Sequence, residues 1–280
     1  MAAYKAFREP GLISDPLMQL GQDDFIDFEQ RRLRYAIYWS FYENNIYRNI
    51  HTWAKAYKSQ YGLYEFIRNI YSPAFRLGEF WKTHLWGGPL DLKDGVAGTE
   101  GALPIATNNE ALRPAIAQLW QWSNWAINKD VLTLHGAIFG DVGLQVVDDV
   151  QRGKVYLKPV HPGIIEELER DPFGNVKGYK FCEQRLHPNN TKLKVEYVET
   201  AERDGDSVVF KTYLNGKPYD WTGQGQEWEE PYGFVPLVMI QHNNVGLDFG
   251  WSEFHPSREK IHEVDDLAAK VHDQIRKMQD

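Results

Sequence analysis

The sequence predicts an α+β fold that is helical in its first half, β-rich in its second half and followed by a long C-terminal helix. Three observations carry this. Apolar residues recur at helical spacing up to about Ile138, the apolar period changes from 3.6 to 2 at Gly140, and residues 250–280 return to helical spacing. The expected division is 1–139 as a helical part, 140–249 as a β-rich part and 250–280 as a terminal helix.

The first helix is expected to begin at the acidic pair Asp23-Asp24 and to run through Phe28, Leu33, Tyr35, Ile37, Tyr38, Phe41 and Tyr42 toward Tyr47. A second spans about Gly62 to Tyr71, stopped by Ser72-Pro73 because proline disfavours helical geometry in the residue before it. Phe75 to Leu85 forms a third apolar-aromatic element, and the Gly-rich polar stretch Asp91 to Ala102 reads as a surface loop. Asn108 or Asn109 then caps a long helix that takes Pro114 in its first turn. That helix carries Ile116, Leu119, Trp120, Trp122, Trp125 and Ile127 and continues to about Ile138.

Past Gly140 the segments Val142–Val147, Lys154–Pro159, Val176–Glu183, Lys192–Thr200, Ser207–Leu214 and Phe234–Gln241 read as strands of an antiparallel meander. Turn signals separate them at Arg152-Gly153, Asp171 to Asn175, Asp204-Gly205 and Asn215-Gly216, the last two being strong hairpin signals. Residues 162–169 carry no clear period, and the acidic run Glu227-Trp228-Glu229-Glu230 reads as an exposed loop before Pro231.

Composition narrows the function classes. A chain of 280 residues that is 42% hydrophobic and 25% charged can bury a large core. With 10 Trp, 15 Tyr and 14 Phe, extensive buried surfaces or interfaces are expected. The single Cys182 excludes an internal disulfide framework and a multi-cysteine zinc site, and fits a reducing compartment. A net charge of −8 without basic runs argues against tight nucleic-acid binding by phosphate neutralisation. The first twenty residues lack the pattern of a signal peptide, and no apolar stretch is long enough to span a membrane.

No catalytic constellation emerges. Gly136 to Gly143 lacks the Gly-Lys-Ser/Thr ending of a phosphate loop and precedes strands, so close packing at a helix end explains it better. Gly250-Trp251-Ser252 resembles half of a nucleophile elbow without its second glycine, and Ser252 reads as a helix cap. His255, Glu259, His262 and Asp266 share one helical side, yet without a ligand from a second element they read as a solvated face. No enzyme activity, cofactor or metal is called for.

The terminal helix is more informative. Ile261, Val264, Ala268, Val271, Ile275 and Met278 follow steps of 3, 4, 3, 4 and 3, a heptad-like seam that usually meets another helix. The register runs to Asp280 without a terminating signal, which implies continuation or a partner. Beside the seam lie Glu259, Glu263, Asp266, Lys270, Asp273 and Lys277, a net of −2, with Asp266/Lys270 and Asp273/Lys277 spaced as helix-supporting pairs.

Taken in order, several segments resemble the portal proteins, or head-tail connectors, of tailed bacteriophages. They are the aromatic N-terminal helices, Ser72–Phe80 leading to Leu85–Gly88, Trp122–Trp125 with Gly136–Asp141, Lys154–Pro162, Asp171–Tyr179, Gly233–Val238 and Gly250–Ser252 with its following helix. The resemblance implies a non-enzymatic ring, usually a dodecamer, at the capsid vertex of the virion, assembled in the host cytoplasm and conducting double-stranded DNA during genome packaging and ejection. It also implies contact with the major capsid protein, the terminase motor and head-completion proteins, and no membrane. Residues up to about Gln241 would form the wing and the last helix the first stem element. The seam would face neighbouring subunits, and the charged side would line a mildly repelling channel. The family pattern continues into a clip, a second stem helix, a tunnel loop and a crown, which have no counterpart here. A carbohydrate-binding or carbohydrate-active protein using surface Trp residues is the alternative, although the sequence singles out no carboxylate pair. A scaffold protein is the third reading.

Overall fold

The structure, a computed structural model, describes residues 27–44, 73–86, 107 and 109–279. The helix expected over Gly62–Tyr71, the loop over Asp91–Ala102 and the start at Asp23-Asp24 lie outside the described residues. The fold is α+β. Among the described residues there are five α-helices: α1 (Phe28–Tyr42), α2 (Pro73–His84), α3 (Arg113–Trp122), α4 (Trp125–Phe139) and α5 (Arg258–Gln279). Nine strands lie between α4 and α5: β1 (Asp141–Asp149), β2 (Lys154–Val160), β3 (Ile165–Arg170), β4 (Val176–His187), β5 (Asn190–Asp204), β6 (Ser207–Leu214), β7 (Lys217–Pro218), β8 (Glu227–Glu230) and β9 (Leu237–Gln241). Contacts divide the chain into two interleaved units, one of residues 1–85, 133–141 and 241–280 and the other of 86–132 and 142–240.

In the first unit, α1 starts where the Asp27 carboxylate accepts the amides of Glu29 and Gln30 at 2.9 and 3.3 Å, pairing two of the amides a helix leaves open at its N-terminus. Its aromatic face, Tyr35, Tyr38 and Phe41, packs with Ala74, Ile138, Phe139, Phe254 and Ile261 into one buried cluster. Each large side chain so buried stabilises the unit by about 1.5–3 kcal/mol. Gly78 lets α2 approach α1, since a Cβ there would stand 2.9 Å from the Tyr42 ring.

In the second unit, Trp120 and Trp125 pack with ring centroids 5.0 Å apart in a cluster that includes Leu132, Val142 and Leu157. The single long helix expected to reach Ile138 is instead two, because Asn124 takes a left-handed conformation (φ 47°) and ends α3. Ser123 fixes this break. Its hydroxyl donates to the Leu119 carbonyl at 2.6 Å and accepts the Leu157 amide of β2 at 2.9 Å. Pro114 does fall in the first turn of α3.

The strands form two sheets, a three-stranded one in the order β2-β1-β9 and a six-stranded one in the order β3-β4-β5-β6-β7 with β8 pairing β6. The meander expectation holds for β3 to β7, whose pairs are all antiparallel. Along β6, Val208, Phe210 and Thr212 alternate into the core at period two. The two-residue turn between Leu214 and Lys217 is Asn215-Gly216, both with positive φ (49° and 75°), the geometry of a type I′ hairpin. One segment without a clear period gains a defined structure, and one expectation is corrected. Residues 162–169 form a short 3-10 turn over Pro162–Ile164 followed by β3. Glu227–Glu230 is no loop but β8, held in the sheet because Trp228 stacks on Phe210 at 5.1 Å and 9°.

Candidate functional site

The site pointed to by the sequence is α5, and the segment leading into it determines how α5 is presented. The last turn of α4 leaves carbonyls without helical partners. The Ala137 carbonyl is taken by the Glu253 amide at 3.0 Å and the Ser252 hydroxyl at 3.2 Å, and the Gly140 carbonyl by the His242 amide at 2.8 Å. Asp141 accepts the Gly250 amide at 2.7 Å and the Tyr35 hydroxyl at 3.4 Å. Burial, and then the charge of Asp141, push the Tyr35 hydroxyl well above its ordinary pKa, so it remains a donor. The Arg31 guanidinium sits 4.1 Å from the centre of the Phe249 ring, and burial lowers its pKa. Tyr38 shares a 2.6 Å hydrogen bond with His255 Nδ1, and His242 Nε2 lies 2.7 Å from the Glu253 carboxylate. Residues 249–255 are thus pinned within the first unit ahead of α5.

Ser252 is not the cap of α5. It lies six positions before Arg258, is buried, and its hydroxyl accepts the Phe254 amide at 3.0 Å, closing a turn. The residue at the helix start is Ser257, whose carbonyl accepts the Ile261 amide at 2.9 Å. Two glycines of 136–143 have the packing role expected of them: Gly140 adopts φ +90° at the helix-to-strand turn, and a Cβ on Gly143 would stand 2.9 Å from the Val160 Cβ.

Along α5 the seam divides. Ile261 joins the buried cluster and Ala268 is half-buried, whereas Val264, Val271, Ile275 and Met278 are 45–85% exposed. Leu267, which the seam reading missed, is exposed beside them. The face turned inward carries Ile261, Asp265 and Ala269 at steps of four, with Asp265 only 2% exposed. On the charged side, Asp266 pairs Lys270 at 2.7 Å as expected. The second expected pair does not form: Asp273 lies 3.8 Å from His272 Nδ1, and Lys277 joins no ion pair among the described residues. Glu263 pairs Lys260 at 2.7 Å instead. The side chains of Glu259 and His262 lie outside what is described.

Among the described residues no three His, Cys, Asp or Glu side chains converge as a metal site, and no helix is long and apolar enough to cross a membrane. No protein-family model and no curated protein sequence matches this chain.

Proposed function

We propose that this chain is a subunit of a ring-forming, DNA-conducting assembly of the phage portal kind, in which α5 is a stem element packed against copies of itself. The observation that supports it is the exposed stripe Val264, Leu267, Val271, Ile275 and Met278 on a helix of 22 residues, about 33 Å long. Apolar residues aligned along about 21 Å of that helix, from Val264 to Met278, and open to water mark an association surface. Their 3-4 spacing selects another helix as the partner, and a homomeric ring supplies the same helix from each neighbour. The charged arc holding Glu263, Asp266, Lys270, Asp273 and Lys277, three acids against two lysines, lies beside the stripe and keeps contact with solvent when the stripe is covered. In a ring this arc faces the lumen, where a mixed, slightly acidic wall gives passing DNA little to bind. DNA passage, and docking to capsid, motor and head-completion proteins in a virion, follow from the same reading.

Negative-stain images of the full-length protein, with mass determined by light scattering, test the proposal. Rings with a central hole are the expected result. A monodisperse monomer across the micromolar range overturns it. The lumen assignment has its own test: replacing Glu263 by Lys leaves rings intact and slows packaging of DNA, and unchanged packaging removes that role.

A further inference from the structure

The second unit holds a cleft of about 340 Å³ between its two sheets, bounded by β1 and β2 on one side and by β4, β5, β6 and β8 on the other. That size falls within the roughly 300–1,000 Å³ of small-molecule sites. We propose that this cleft binds a neutral, hydroxyl-bearing ligand, a saccharide unit.

One wall of the cleft is organised around Glu199. Its carboxylate accepts the Tyr179 hydroxyl at 2.7 Å, the Gln145 amide nitrogen at 3.2 Å and the Tyr197 hydroxyl. Burial first, then the charge of Glu199, raises both tyrosine pKa values, so both hydroxyls remain donors. Gln145 is more than nine-tenths buried, and its amide nitrogen also reaches the Tyr179 oxygen at 3.1 Å. With the nitrogen so committed, the amide carbonyl is the acceptor left over for a ligand. Arg185 is already spent: it lies 3.4 Å from the Tyr197 ring centre and pairs Glu183 at 2.5 Å.

The remaining polar groups are mixed in kind. Asp148 accepts the Tyr232 hydroxyl with one oxygen, and Glu230 accepts Gln224 with one oxygen. The second oxygen of each accepts nothing among the described residues. Lys158 also lines the cleft and joins no ion pair there. Spare acceptors beside a spare donor suit groups that donate and accept at once, as hydroxyls do. Four carboxylates (Asp148, Asp149, Glu199, Glu230) line the cleft with three cations (Arg152, Lys158, Arg185), so the near-balanced wall gives neither a free anion nor a free cation a one-signed site. Trp221 and Trp228 line the same space and supply apolar surface for the C–H faces of a sugar ring. The inference concerns the second unit alone and stands whether or not the chain forms rings.

Titration of the full chain with glucose, galactose, maltose and cellobiose at millimolar concentration tests it, followed by tryptophan fluorescence and saturation-transfer NMR, with choline and sulfate as charged probes. Saturable binding of at least one sugar is expected, weakened about tenfold by Lys158→Met and by Asp148→Asn with the circular dichroism unchanged. Absence of saturation with all four sugars overturns the proposal. So does preference for choline or sulfate, or undiminished sugar binding by both variants.

Discussion

Gly140 and Gly250 cross backbone to backbone: a Cβ built on either would lie 2.6 Å from the carbonyl oxygen of the other. Such a distance is closer than side-chain carbons approach, so the crossing admits glycine alone on both strands of the contact. It joins the end of α4 to the segment that precedes α5. Replacing Gly250 by Ala is expected to cost about 1–3 kcal/mol, the usual penalty of overpacking. Gly140→Ala costs more, because a φ of +90° adds strain for a residue with a Cβ. Urea unfolding midpoints measure both, and the double variant should lose less than the two single losses combined, since either methyl already parts the chains.

Val271→Asp together with Ile275→Asp places charge in the exposed stripe of α5. The paired change is expected to abolish self-association by sedimentation velocity while leaving the unfolding free energy of the dispersed chain within about 0.5 kcal/mol of the original, as for surface positions. A variant that still assembles would remove α5 from the interface.

His161 accepts the Gly163 amide at 2.9 Å where β2 turns toward β3, and burial lowers its imidazole to about 4. Its ordinary value in an unfolded chain is about 6.5. The unfolded state therefore takes up a proton first as pH falls. The contribution of this residue, about 3 kcal/mol, is complete above pH 6.5 and is lost progressively between there and pH 4. His161→Asn keeps an acceptor for the Gly163 amide and removes the titration. Its stability should be flatter over that interval by chemical denaturation at stepped pH.

Ser123→Ala removes the acceptor for the buried Leu157 amide. An unpaired buried donor costs about 1–3 kcal/mol, so the loss should exceed that of a surface serine. Hydrogen exchange offers a local readout, with the amide of Leu157 losing protection before those of β4 and β5.

The periodicities that produced the α+β reading were legible because they are local: the switch at Gly140, the hairpin at Asn215-Gly216 and the aromatic face of α1 each lie within a few residues. What depended on distant partners was less visible. The acidic letters of Glu227–Glu230 resemble a loop, and it is the ladder with β6, with the Phe210 ring against Trp228, that makes them a strand. A single left-handed asparagine splits α3 from α4 without disturbing the apolar spacing around it. In α5 the spacing identified residues that share a side, but not which side the chain itself covers. Asp265 and Ala269 took the inward face, leaving most of the seam outside. The Glu199 cluster draws residues from β1, β4 and β5, a convergence for which no short motif exists.

The first unit draws its core from segments far apart in the chain, and this imposes an order on its birth. Phe41 and Phe254 share one buried cluster, yet 213 positions separate them. At ordinary elongation rates the aromatic face of α1 waits about 10–40 s on the ribosome before Phe254 and Ile261 are made. The hairpins of β3 to β6, whose partners follow one another directly, can close during that interval. The β-rich unit can therefore close before the first unit has its full core, and the aromatic face of α1 lacks two of its packing partners until the residues leading into α5 are made.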